Sequence, residues 1–253
     1  MHIKELFQQE VANLLNIYIT AGYPQLESLT EILSALDKAG VDLIEIGIPY
    51  SDPISDGLTI QASNAKAIAN GISMDLIFDQ VSKTSVQAPL ILMGYFNSIL
   101  QYGITKFCSR CETAGVSGLI IPDLPIDIYL SKYKSIFDQN NLSNIFLVTP
   151  DTSEQRIRYI SDHSSSFIYA VSSSSTTGNN KSVADSATYL KRLKDLQLNT
   201  NLLVGFNIRT REDMAFVSQY ASGGIIGSAF IKHIAESNKL EEDITTFVEQ
   251  VKL

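Results

Sequence analysis

The sequence has no tryptophan, two cysteines and three histidines among its 253 residues. The cysteines, Cys108 and Cys111, stand together in FCSRC. A single pair does not complete a four-ligand zinc site, and no histidine is near it in sequence. The pair also falls inside a helical pattern, whereas a thioredoxin-type motif follows a strand and opens a helix. Both therefore read as packing residues, and no metal is expected. His2, His163 and His233 lie outside every strand end identified below and read as structural. Basic residues are scarce as well: 19 Lys and Arg stand against 27 Asp and Glu, a formal charge of −8. That balance argues against nucleic acid or an anionic membrane as the main partner, but not against a small anion held by backbone N–H groups. No apolar run approaches the roughly 18 residues of a membrane span. The first stretch, MHIKELFQQEVANLL, lacks the basic start and long apolar segment of a signal peptide. It reads instead as an amphipathic helix with Ile3, Leu6, Phe7, Val11 and Leu14 on one face. The cytoplasm is the expected location.

What the sequence does have is alternation. Eight short β-rich runs recur, at residues 15–24, 41–50, 89–97, 117–125, 144–150, 166–175, 201–207 and 223–229. Each has a core of Ile, Leu, Val, Phe or Tyr and is closed by Gly, Pro, Ser or Asn. Segments with helical spacing lie between them, such as Leu29, Ile32, Leu33 and Leu36, or Leu190, Leu193 and Leu196. Strand followed by helix, eight times, predicts a parallel sheet closed as a (β/α)8 barrel, an α/β fold, with an extra N-terminal helix. The first turn is TAGYPQ rather than G-x-G-x-x-G, which disfavours a dinucleotide-binding open sheet. No linker divides the chain, so one barrel domain is expected over residues 1–253. In such barrels the chemistry belongs to the loops at the C-terminal strand ends.

The stretch LIEIGIPYSDPISDG places acids at one of those ends. Strand side chains alternate, so Leu43, Glu45 and Gly47 share one face and Ile44, Ile46 and Ile48 the other. The isoleucines should pack on outer helices, which turns Glu45 inward. Desolvation there raises a carboxyl pKa towards neutrality, where it gives and takes protons. The bland alternative is a buried ion pair, yet no other strand run carries a basic residue before its end. Asp56 and Asp52 are each ordinary turn residues by type. A strand acid facing a loop acid that moves in with substrate is nevertheless a workable acid–base pair.

Small residues gather at the last three strand ends. Gly227 and Ser228 lead directly into AFIKHIAE, a helical start, and form the strongest local signal for anion binding. Gly205 and Gly178 are weaker signals by themselves, since glycine after a strand is common. Residues 172–182 are small and polar and read as a lid.

The segment LIEIGIPYSDPISDGLTIQ resembles the signature of the tryptophan synthase alpha chain family, and TAGYP, GYFN, IIPDLP and GSAFIK extend the resemblance along nearly the whole chain. It implies a (β/α)8 barrel that cleaves indole-3-glycerol phosphate to indole and glyceraldehyde 3-phosphate. No cofactor is implied in this chain; pyridoxal phosphate belongs to the partner beta chain, in an alpha2beta2 complex. By resemblance, Glu45 shuttles the proton at indole C3 and Asp56 binds the indole N–H. Tyr169 lies beside the substrate; Gly178, Gly205, Gly227 and Ser228 form the phosphate site, and Thr177 of the lid meets the catalytic loop. Pro49, Tyr50, Asp52 and Pro53 face the beta chain, and Tyr95, Asn97 and Asp123 match positions around the site and the partner surface. Three positions depart from the family pattern: Leu58 replaces a usual proline, Asn207 the last glycine of G-F-G, and Ser175 a lid glycine. An alpha-like barrel that mainly activates its beta chain, and a phosphate-binding barrel with other chemistry such as a related isomerase, are the competing readings.

Overall fold

β1 (Leu14–Thr20), β2 (Leu43–Gly47), β3 (Leu90–Met93), β4 (Val116–Ile120), β5 (Ser143–Val148), β6 (Phe167–Val171), β7 (Asn201–Gly205) and β8 (Gly223–Ile226) run parallel in a computed structural model of the chain. β8 pairs with β1, closing the barrel. The structure describes residues 1–53, 56–172 and 182–253. Thr177, Gly178 and Ser175 therefore lie outside the described residues.

Each of the eight sequence runs coincides with a strand, and the strands are shorter than the runs; β1, β4 and β5 begin one residue before theirs. β2, for example, stops at Gly47, just before Ile48, whose N–H still donates to Met93 (2.7 Å), and Pro49, which has no N–H to continue the ladder. Ile44, Ile46 and Ile48 belong to the outer core between sheet and helices, as the alternation predicts. There they meet Leu29, Ile32, Leu33 and Leu36, each no more than 1% exposed, on the helix Ser28–Lys38. Burying each of these side chains contributes roughly 1.5–3 kcal/mol. Cys108 and Cys111 are fully buried in the same outer core, on the helix Ile104–Thr113, where burial pushes the Cys108 thiol up to about 12. Nothing there favours a reactive thiolate.

The N-terminal helix is shorter than its pattern suggests. It spans Ile3–Phe7 only; Asn13 takes a left-handed conformation (φ 59°) and Leu14 already belongs to β1. The apolar face is nonetheless real. Ile3, Leu6 and Leu14 join Leu43, Ile91, Ile120, Ile145 and Phe167 inside the barrel, with Phe7 and Val11 packed against them. The Ile3 N–H donates to Ser117 Oγ at 3.2 Å, and the Phe7 ring lies 5.3 Å from that of Phe167. This helix covers the N-terminal end of the barrel. His2 caps it, accepting from the Lys4 N–H at 3.1 Å, while His163 and His233 contact backbone carbonyls away from the strand ends. Among the described residues no helix is long and apolar enough to cross a membrane.

Candidate active site

Glu45 points into the barrel, 1% exposed, two residues below the end of β2. It sits opposite Tyr18 of β1 and Ile91 of β3. Asn16 Nδ2 donates to its Oε2 at 3.0 Å, and Oε1 is buried without a hydrogen-bond partner among the described residues. The ion pairs among those residues all lie elsewhere, so Glu45 has no salt-bridge partner among the described residues. Burial pushes its carboxyl up to about 8; the Asn16 bond opposes the shift and the charge of Asp56 adds to it.

Asp56 is half-buried at the mouth. The helix Leu58–Ala69 holds it from the side: Gln61 Nε2 donates to its carbonyl at 2.8 Å and Asn64 Nδ2 to its carboxylate at 3.4 Å. The Tyr95 hydroxyl, at the end of β3, is a second donor to that carboxylate. Desolvation raises the Asp56 carboxyl to about 6 against both bonds. An open cavity here is lined by Tyr18, Ile48, Asp56, Asn64, Met93, Gly94, Tyr95 and Pro122. Glu45 does not line it; its carboxyl lies deeper in the barrel.

Tyr169 of β6 points inward and is 6% exposed. Burial pushes its phenol far up, and the charges of Glu45, Asp56 and Tyr18 all act in the same direction, so the four groups share one electrostatic environment. Glycine is obligatory at two neighbouring places. A Cβ on Gly205 would fall within the Tyr169 ring, and one on Gly47 within the Tyr18 ring. Gly205 thus has a packing reason of its own, which sequence alone does not separate from anion binding. Gly227 carries no such steric demand, the nearest atom to an added Cβ being Tyr18 Cβ at 3.4 Å. Exposed Ser228 opens the helix Ser228–Ile234 beside it.

The loop after β2 carries Pro49, Tyr50, Asp52 and Pro53. Tyr50 stacks on Tyr95 with ring centroids 4.9 Å apart, and Asp52 is exposed and accepts from Ser51 Oγ at 2.6 Å. Tyr95 therefore ties this loop to Asp56. Asp123 serves locally by accepting from the Phe96 N–H at 2.8 Å.

Residues 4–252 match the family model described as tryptophan synthase alpha chain. The chain belongs to that family. The tryptophan synthase alpha chain of Christiangramia forsetii is 50% identical over 247 residues, covering 96% of each chain. That of Flavobacterium johnsoniae is 49% identical, covering 92% of this chain and 94% of its own. Among solved structures, a mutant tryptophan synthase alpha-subunit from the hyperthermophile Pyrococcus furiosus superposes with a TM-score of 0.86 at 30% identity, over 96% of this chain and 99% of that one. A chain of the tryptophan synthase complex of the same organism gives 0.86 at 31% over the same shares.

Two of the departures from the alpha-chain pattern are visible in the backbone. Leu58 is the first residue of its helix and is 72% exposed. Gly57 before it is extended (φ −73°, ψ 164°), a conformation compatible with a following proline. Leu58→Pro should therefore raise stability by about 0.4–1 kcal/mol in urea unfolding, by restricting the unfolded chain. Asn207 is left-handed (φ 61°), directly after Phe206 (φ 71°), a backbone demand that asparagine meets better than most residues other than glycine. Asn207→Val should cost roughly 1–2 kcal/mol in the same assay, while Asn207→Gly should be neutral or stabilising.

Proposed function

We propose that this chain is a carbon–carbon lyase that cleaves indole-3-glycerol phosphate to indole and glyceraldehyde 3-phosphate, and that it works as the alpha subunit of tryptophan synthase beside a beta chain carrying pyridoxal phosphate. The observation that carries this reading is a pair of carboxyl groups, one inside the barrel and one half-buried at its mouth, with separated pKa values, about 8 for Glu45 and about 6 for Asp56. At pH 7 the first holds its proton and the second is mostly ionised.

Cleavage needs both states. The Glu45 carboxylic acid gives its proton to indole C3, which turns the ring into an iminium electron sink. The Asp56 carboxylate accepts the ring N–H and stabilises the positive charge that develops on it. The Glu45 carboxylate then takes the proton of the hydroxyl beside the ring. The bond from C3 to the carbinol carbon breaks, its electron pair returns to the indole, and an aldehyde is left. One proton enters and one leaves, so Glu45 ends as it began. Tyr169 would flank the ring; the backbone at Gly178, Gly205, Gly227 and Ser228 would receive the phosphate, and Thr177 would meet the catalytic loop. Pro49, Tyr50, Asp52 and Pro53 would meet the beta chain, and the Tyr50–Tyr95 stack would link that contact to Asp56.

Indole release from indole-3-glycerol phosphate, measured with and without a beta chain, tests the reading. Release that increases with the beta chain is expected. No release in any mixture, with serine-dependent synthesis by the beta chain still stimulated, would instead identify an activator barrel.

A further inference from the structure

Asn16 was not singled out by the sequence, yet it is the side chain that holds Glu45. It occupies the inward row of β1 with Leu14, Tyr18 and Thr20, is fully buried, and donates to Glu45 Oε2 at 3.0 Å. Its own Oδ1 is buried and has no hydrogen-bond partner among the described residues; neither does Glu45 Oε1. A buried amide with one group used and one unused is costly unless the unused group finds a partner at another stage. The carboxyl beside it supplies one. A carboxylate accepts from Nδ2, whereas a carboxylic acid can donate its O–H to Oδ1 once the amide turns over.

We infer that Asn16 is the positioning residue for the acid–base group, pairing with Glu45 through its amide nitrogen when the carboxyl is ionised and, with the amide turned over, through its amide oxygen when it is protonated, so that the Glu45 side chain keeps one orientation through both halves of the proton cycle. The inference rests on the proposed role of Glu45. No other side chain in the described structure is placed to do this. Asp56 is the titratable group whose charge opposes a negative charge on Glu45, and an ionised Glu45 in turn helps to hold the Tyr18 and Tyr169 phenols protonated. Asn16 alone lowers the cost of the ionised form.

Three variants and one resonance decide it. Asn16→Val keeps the strand and the volume but removes both amide groups. Its kcat for indole release at pH 7 should fall roughly ten-fold with little change in KM, and the alkaline limb of its kcat/KM profile should move above the parent's. Asn16→Asp, which can share a proton with Glu45, should move that limb up further. In the parent protein the Asn16 side-chain amide nitrogen should titrate in NMR with the midpoint of the alkaline limb, a measurement that needs no variant to fold. A fall in thermal stability with kcat and the limb unchanged, or an amide resonance indifferent to pH across the limb, overturns the inference. Glu45→Gln separates the two levels. If it retains activity, the role of Glu45 fails and Asn16 falls with it; if it is inactive while Asn16→Val is normal, the Asn16 inference alone is wrong.

Discussion

Glu45→Gln should lower kcat for indole release by about 10²–10⁴-fold, because glutamine can neither give a proton to C3 nor take one from the hydroxyl. Asp56→Asn should lower it about 10²–10³-fold, since a neutral amide no longer compensates the charge on the ring nitrogen. The two carboxyl groups also set a pH profile. With Asp56 raised to about 6 and Glu45 to about 8, kcat/KM should climb as pH passes 6 and Asp56 ionises, and fall as pH passes 8 and Glu45 loses its proton. In Asp56→Asn the acid limb should disappear and the alkaline limb remain. A parent profile that is flat from pH 5 to 9 would contradict both assignments.

The same substitution should make the protein more stable at alkaline pH. The Glu45 carboxyl rises from an ordinary 4.5 to about 8 on folding, so above pH 4.5 the folded chain keeps a proton that the unfolded chain has released. Stability contributed at this position is therefore lost progressively as pH climbs from 4.5, and the loss is complete once pH exceeds 8. Glutamine does not titrate, and its amide can donate to the unpaired Asn16 Oδ1. Parent and Glu45→Gln should melt at similar temperatures at pH 5. Near pH 9 the variant should be ahead by a few kcal/mol, with each kcal/mol worth about 2–4 °C in a chain of this size. Melting curves that stay parallel over that range would show that the carboxyl is not desolvated in the folded protein.

Much of this was legible in the sequence because strand periodicity is strict. Once LIEIG is a strand with an isoleucine face on the helices, Glu45 has only the barrel to enter. The eight repeats gave the closed sheet for the same reason. Asn16 and Tyr18 were hidden in plain view: NIYIT reads as an apolar run, and its polar and aromatic residues matter only because they alternate on the inward row. The partners of Asp56 were less accessible. Asn64 lies eight residues away on a helix and Tyr95 just past the end of β3, and only the closed barrel brings them together. At the N-terminus the apolar spacing identified the right residues but the wrong element, because burial inside the barrel favours apolar side chains whether they come from a short helix, a connecting segment or the first residue of a strand.

The helix Ile3–Phe7 stoppers the barrel: the tip of Ile3 reaches 3.2 Å from where a Cβ on Gly118 would stand, midway through the sheet. Among the described residues that end of the barrel is filled, which leaves the C-terminal strand ends as the way to Glu45. Whatever reaches Glu45 must depart along the route by which it came, so a large fragment and a small one cannot leave through opposite doors. Departure order is then imposed by depth, and the fragment nearer the rim must clear before the one below it, unless the rim itself is joined to a second passage.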